Sequence, residues 1–311
     1  MRFFLLSLIC VCHITMFAQN KPYRHELGFR SDNDVYLASK QDRYYTNGLF
    51  IHYRQAAKAK DSAVKKIWGI SAGQEMYNAR SGNIKNIVNV DRPFASYLYA
   101  GASMQWLKSN QNSVKTELQI GTIGPAAMGE EAQKLLHQVV GFYEVSGWQY
   151  QVNNELGINA KLGLHYLLLK NRQRTFDFSL PLLAELGNTY SGLSAGLLFR
   201  TGNINPLNHS VATQSTVSST SEKEKNKELY FYLQPNLKYV AYNATIQGGM
   251  FRTDKGPVTY NPKPFVFSQQ IGAAFASEKW TVDFSIIFKS KELESAKRSE
   301  QYGSISLYYR F

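Results

Sequence analysis

From Arg24 to Phe311, apolar and polar residues alternate with a period of two, broken at intervals by turn residues. Near the C-terminus Trp280, Val282, Phe284, Ile286 and Phe288 alternate with Thr281, Asp283, Ser285 and Lys289. The final stretch places Ile305, Leu307, Tyr309 and Phe311 on one face and Ser304, Ser306, Tyr308 and Arg310 on the other. A period of two is the signature of a strand with two unlike faces. It predicts twelve strands, near 23–34, 44–56, 65–77, 94–108, 112–123, 154–170, 174–187, 190–202, 228–250, 265–277, 279–291 and 301–311. Lipid offers no partner to backbone N–H and C=O groups, so a sheet that crosses a bilayer must close on itself. The expected fold is therefore all-β: a transmembrane antiparallel β-barrel of about 12 strands.

An even strand number puts both termini on one side, the periplasm. Asp61-Ser62, Asn110-Gln111 and Asn171-Arg172 then make short periplasmic turns. Segment 203–227 fits this scheme poorly. It is rich in Ser, Thr, Lys and Glu and reads as disordered, yet parity also places it in the periplasm. Either that turn is unusually long or the strand count is off by one.

One stretch has a different period. In Gly129–Gly141, Ala132, Leu135, Leu136, Val139 and Val140 fall at i, i+3, i+4, i+7 and i+8, one helical stripe. Glu130, Gln133 and His137 share a second stripe. Pro125 precedes the segment and Gly141 closes it. A short helix near 129–141 is thus expected in an extracellular loop, where a purely structural barrel has no need of one.

The first 18 residues, MRFFLLSLICVCHITMFA, carry one positive charge and a short apolar run before Ala18-Gln19-Asn20. This reads as a signal peptide (1–18) ahead of a barrel domain at 19–311. Cys10 and Cys12 both lie inside it, so the mature chain is expected to hold no disulfide and no thiolate metal site. Aromatic residues make up 14% of the chain and charged residues 19%. That balance excludes a coiled coil, a collagen-like chain and a helical membrane protein. Trp106 and Trp280 are expected as interfacial girdle residues. The formal charge of +12 has two readings, phosphate contacts at the outer rim or scatter over turns. No nucleic-acid partner is expected on an exported barrel, and a monomer is.

Candidate chemistry gathers at the outer ends of the strands. The first strand ends Arg30-Ser31-Asp32-Asn33-Asp34, and the second begins Asp42-Arg43-Tyr44-Tyr45-Thr46-Asn47-Gly48. Simple alternation sends Asp32 and Asp34 into the lumen and puts Thr46 on the side of His52 and Arg54. Hairpin pairing brings Asn33 and Asp34 near Thr46, at the rim from which the helix with His137 hangs. A neutral imidazole can take a proton from water near pH 7. Asp and Asn oxygens are hard ligands suited to calcium. The combination suits ester hydrolysis.

At these residues the chain resembles the outer-membrane lipid A 3-O-deacylases. The resemblance spans essentially the whole mature chain. It is strongest in SDNDVY (31–36) with DRYYTNG (42–48), in VDRPFASYLYAG (90–101), and in GTIGPAAMGEEAQKLLHQVVG (121–141) running on to GWQYQVNNELG (147–157). It implies a twelve-stranded barrel with its active site at the outer rim, facing the cell exterior, and calcium-dependent hydrolysis of a 3-linked acyl ester of lipid A. It implies His137 as the base that activates water, Asp34 at the calcium site, and Asn33, Thr46 and Gln133 as further catalytic-site residues. The family's basic pair is matched only by Lys85, with Arg80 and Arg92 nearby as candidates for substrate phosphates. The family's functional glutamate falls on Tyr143 or Glu144, and the resemblance does not choose between them.

Other residues carry plainer expectations. Glu130 complements the helix dipole, Asp91 and Arg92 form a rim ion pair, and His25, His52, His165 and His209 take no role. Two alternative functions stand beside the deacylase: an outer-membrane phospholipase, and a non-catalytic pore or surface-binding barrel.

Overall fold

The computed structural model describes residues 22–37, 43–58, 64–220 and 227–311. The expected signal peptide, Asp42 and the Asp61-Ser62 turn lie outside the described residues. In chain order the strands are β1 (His25–Asn33), β2 (Tyr45–Ala56), β3 (Val64–Tyr77), β4 (Ala95–Lys108), β5 (Ser113–Ile123), β6 (Glu155–Lys170) and β7 (Phe176–Gly187). They continue with β8 (Tyr190–Gly196 and, after a break at Leu197, Leu198–Asn203), β9 (Glu228–Asn243), β10 (Phe265–Ala276), β11 (Trp280–Lys289) and β12 (Glu300–Arg310). Both segments of β8 lie between β7 and β9, so they form one interrupted strand. Each strand pairs antiparallel with its neighbours, and β1 pairs with β12 as well as β2. The described residues thus form a closed twelve-stranded barrel. Among them no helix is long and apolar enough to cross a membrane.

Alternation sorts the residues as a bilayer requires. Leu27, Phe29, Ile51, Ile70, Leu118 and Ile120 are exposed on the outer wall. Inside, Glu26 is buried and receives Arg54 at 2.8 Å and Arg310 at 3.1 Å from the two flanking strands. Trp280 packs at a tilt against Tyr309, half-exposed near the end that carries the termini, as an interfacial aromatic does.

Two expectations are corrected here. The ninth strand stops at Asn243 rather than running to 250. The Asn243 side chain accepts from the backbone N–H of Thr245, capping a one-turn helix α2 (Ala244–Gln247). The segment read as disordered is largely folded: residues 204–220 turn back into the lumen at the terminus-bearing end. Lys65 Nζ donates to the carbonyls of Asn208 and Ser215, Gln105 Nε2 to that of Thr213, and Thr216 Oγ1 to Glu26 Oε2. Val217 packs with Ala56, Ile67 and Leu107. Arg200 on β8 anchors the base of this plug, binding Asp177, Glu228, Ser210 and the carbonyl of Asn205. A polar segment cannot build an apolar core, but a lumen lined with charge supplies the partners it needs. Parity had placed the segment correctly, and the strand count needed no change.

Candidate active site

The helix α1 (Gly129–Val140) lies against the outside of the barrel wall. Glu75 on β3 accepts from Tyr190 Oη of β8 across the lumen, so Glu75 points inward and its neighbours Gln74 and Met76 point outward. Gln74 Nε2 donates to the carbonyl of Ala127, just before α1, at 2.6 Å, and Ser96 Oγ on β4 approaches the same carbonyl. Gly129 sits so close to the wall that a Cβ there would stand 2.5 Å from Cβ of Ser96 and 2.4 Å from the Trp148 ring.

The burial of α1 reverses part of the sequence expectation. Gln133 and His137, one turn apart, are buried, while Leu135 and Val139 from the apolar stripe are exposed. Ala132 and Leu136 of that stripe pack on the wall, against the cluster of Met76, Phe94, Val145 and Trp148. Trp148 Nε1–H donates to Gln133 Oε1 at 2.7 Å. His137 Nδ1 lies 2.8 Å from the carbonyl oxygen of Tyr143. A carbonyl only accepts, so this contact places the proton on Nδ1 and makes Nε2 the basic nitrogen of the neutral ring. The rings of Phe142 and Tyr143 stand edge-on to the imidazole.

The wall facing α1 carries one row of outward residues across four strands: Asn33 on β1, Asn47 on β2, Met76 on β3 and Ser96 on β4, each the register partner of the next. Three inter-strand steps span about 14 Å. From Gly129 to His137 the helix advances about 12 Å. The helix starts at Ser96, and Leu136 packs on the cluster that contains Met76. His137 is thereby carried towards the sector of the rim that holds Asn33 and Asn47.

Asn33 lies where alternation implies, and Asp34 needs a correction of direction. Asn33 faces outward, and its Oδ1 accepts from the N–H of Val35 in an Asx turn. The chain then folds over the outer wall: Tyr36 Oη meets Ser31 Oγ, and a Cβ at Gly303 would stand 2.8 Å from that of Tyr36. The buried Asp34 belongs to this outward turn, and its Oδ2 accepts from the N–H of Arg43. Asp32 does point inward, accepting from Tyr45 Oη and Ser304 Oγ. Thr46 sits at a β-bulge between Tyr45 and Asn47, which breaks the alternation that was expected to aim it into the lumen. Thr46 Oγ1 and Asn47 Oδ1 are both buried without a hydrogen-bond partner. Asn47, Trp148 and the Tyr143 carbonyl escaped the sequence reading. A polar amide one residue inside a strand start was a signal for the first only.

The basic candidates separate. Arg80 and Lys85 are exposed on the β3–β4 loop. That loop bonds to the segment after α1, through Ser146 N–H to the Gly82 carbonyl and Tyr150 Oη to the Lys85 carbonyl. Arg80 reaches Asn89 Oδ1 at 2.7 Å. Arg92 is not available to substrate. It is 1% exposed, lies over the Tyr77 ring, and binds Thr245 Oγ1 and Glu292. Nor does it pair with Asp91, which instead accepts from Tyr44 Oη and the Arg80 N–H. Burial and the Asp91 charge push the Tyr44 hydroxyl pKa up. Burial would raise Glu292 as well, but Lys289 and Arg92 pull it down to about 2. Of the two candidates for the family glutamate, the Glu144 side chain is exposed, and Tyr143 contributes its carbonyl.

Three other histidines are held by hydrogen bonds, and His52 stacks on Phe50 with its Nε2 buried and unpaired. His25 Nδ1 meets Tyr53 Oη, His165 meets Ser179, and His209 meets Lys65. Two cavities, of about 160 and 230 Å³, lie in the lumen and not beside His137. Neither adjoins the row of outward residues, so they belong to the barrel interior and not to this site. Among the described residues no three His, Cys, Asp or Glu side chains come together as a metal cluster.

A closed barrel with an outward apolar band and a polar helix face pressed against its outer rim defines an outer-membrane barrel with a surface cleft. The family model for the outer membrane protein LpxR matches residues 3–311, and the chain belongs to that family. Among solved structures, LpxR from Salmonella typhimurium aligns with a TM-score of 0.74 at 20% identity, covering 92% of this chain and all of that one. The β-domain of the Bordetella autotransporter BrkA aligns at 0.49 and 10% identity, covering 94% of this chain and 99% of its own. No curated protein matches the sequence.

Proposed function

We propose that this protein is a lipid A 3-O-deacylase that hydrolyses a 3-linked acyl ester at the outer face of the outer membrane. Family membership points to lipid A as the substrate class. The observation that carries the chemistry is the buried polar face of α1, pressed on a wall whose Thr46 and Asn47 oxygens are left unpaired. A buried, unpaired oxygen costs about 1–3 kcal/mol. With the buried Asp34 carboxylate of the turn that follows Asn33, the register partner of Asn47, they offer a ligand oxygens that the fold does not use.

His137 is the general base. The Tyr143 carbonyl holds its Nδ1–H, and Nε2 takes a proton from water. The water oxygen bonds to the acyl carbon, the ester C–O bond breaks, and the proton passes to the departing sugar hydroxyl. Gln133, fixed by Trp148, orients substrate or water beside the imidazole. Asn33 shapes the turn that presents Asp34.

The residues fit a calcium ion. The donor set is one buried carboxylate, Asp34, with the neutral oxygens of Thr46 and Asn47, a hard and oxygen-only set. When bound, calcium would polarise the ester carbonyl and stabilise its developing negative charge. Arg80 and Lys85, exposed beside the helix, are suited to the phosphates of lipid A. The plug in the lumen counts against a passive pore.

The test is mass spectrometry of lipid A after incubation with the folded protein, with calcium or with a chelator, and with His137→Ala alongside. Loss of one ester-linked acyl unit, dependent on calcium and absent in the variant, is the expected result. Intact lipid A with hydrolysed glycerophospholipid would move the substrate class. Intact lipids of both kinds, with the barrel folded, would overturn the enzymatic reading.

A further inference from the structure

Around the axis of α1, successive residues step by about 100°. The wall-packed apolar side chains Ala132 and Leu136 lead directly to Leu135 and Val139, which are 61% and 76% exposed. Beyond these come Glu131, Lys134 and Gln138, exposed and polar, and then the buried Gln133 and His137. Met128 at the helix start and Phe142 just after it are also exposed, 54% and 42%. Free apolar side chains on a soluble face would be a cost without a return. Here the helix stands on the outside of the barrel. The strands below its start, β4 to β6, present Leu98, Leu118, Ile120, Leu156 and Ile158 outward, and these form part of the lipid-facing band.

We propose that the Leu135–Val139 edge of α1 is a lipid-docking surface, sunk among the acyl chains of the outer leaflet, with the Glu131–Lys134–Gln138 edge left in the polar layer. The exposed apolar edge continues a surface that the barrel already gives to lipid. The arrangement is that of an interfacial helix: apolar on one side and charged on the other, lying along the membrane plane. Its consequence reaches the cleft. The helix that carries Gln133 and His137 is held between two apolar surfaces, the wall cluster inside and the acyl chains outside, so bilayer contact helps to hold the imbedded polar face in place. Where the helix lies is independent of what reaction the cleft performs.

The test uses the whole chain with Cys10→Ser and Cys12→Ser, which removes both native thiols. Single cysteines are placed at Val139, at lipid-facing Ile158 and at the exposed turn residue Asn110, and each is labelled with bimane. The folded proteins are put into phosphatidylcholine vesicles with or without brominated acyl chains. Quenching at Val139 comparable to that at Ile158, and far above that at Asn110, is the expected result. Quenching at Val139 no greater than at Asn110 would overturn the proposal. So would cross-linking of unlabelled Val139→Cys to a second copy in the vesicle, which would make the face a protein interface. Leu135→Cys gives an independent second reading should Val139→Cys fold poorly.

Discussion

The lumen and the cleft under α1 are both polar and both largely buried, but only the lumen is built on paired charges. In the lumen, charge meets charge: Glu26 with Arg54 and Arg310, Glu185 with Lys161 and Lys238, Arg200 with Asp177 and Glu228. In the sector of the wall that α1 approaches, Thr46 and Asn47 keep buried oxygens with no partner. Opposite charges held together stabilise a shape, although a single lumen atom such as Gln119 Oε1 also lacks a partner. Unspent oxygens on a wall that a helix with an oriented imidazole approaches are open to a ligand. The richest charge in the molecule therefore marks its scaffold, and the poorer cleft marks its chemistry.

The largest effect expected is on the cleft. His137→Ala should lower lipid A ester hydrolysis by roughly 10²–10⁴-fold, the range for loss of a general base. The folded barrel should be unaffected by heat-modifiable mobility on gels. If activity survives, the cleft is not the site of reaction.

Next, the two regions should respond in opposite ways to loss of a polar group. Arg200→Met removes the partner of two buried carboxylates and should destabilise the barrel by about 3–5 kcal/mol. Its activity per folded molecule should be retained. Asn47→Ala removes no hydrogen bond from the fold, so its unfolding temperature should stay or rise while activity and calcium affinity fall. Measuring unfolding and turnover on both variants checks the contrast. A stability loss in Asn47→Ala would dissolve it.

A third test probes the lumen alone. Lys65→Met removes three bonds to the plug, and deletion of 206–218 removes most of the plug itself. Conductance across a planar bilayer should rise slightly in the first and clearly in the second, from a closed starting protein.

The smallest effect concerns pH at the rim. The Glu292 carboxyl is held at about 2 in the folded protein, against 4.5 for the unperturbed group. Its folded pKa is depressed, so its contribution is present above about 4.5 and is lost as pH falls towards 2. Glu292→Gln should flatten the fall in stability across that window. A wild-type slope unchanged in the variant would assign the acid response to other groups.

Much of the architecture was legible along the chain. Period-two alternation forces alternate residues to opposite faces, so eleven of the twelve predicted strands match to within two residues at both ends; the exception was β9, where Asn243 caps a turn of helix in mid-pattern. The presence and place of α1 were legible for the same reason, and so were the residue types that suit ester hydrolysis. The sequence by itself thus determined a closed barrel with a helix near His137, because periodicity is a property of neighbours along the chain. What it did not determine is which surface each residue finally serves. One extra residue at Thr46 shifts the faces, since a bulge inserts two residues against one. The Asx turn at Asn33 sends Asp34 outward. The polar stretch at 204–220 becomes a plug only because Lys65, Gln105 and Glu26 from distant strands wait for it. Arg92, a candidate for substrate on sequence, is consumed by Glu292 and Thr245, 200 and 153 residues away. Pairing across such distances depends on the closure of the sheet, and only the tertiary structure decides it.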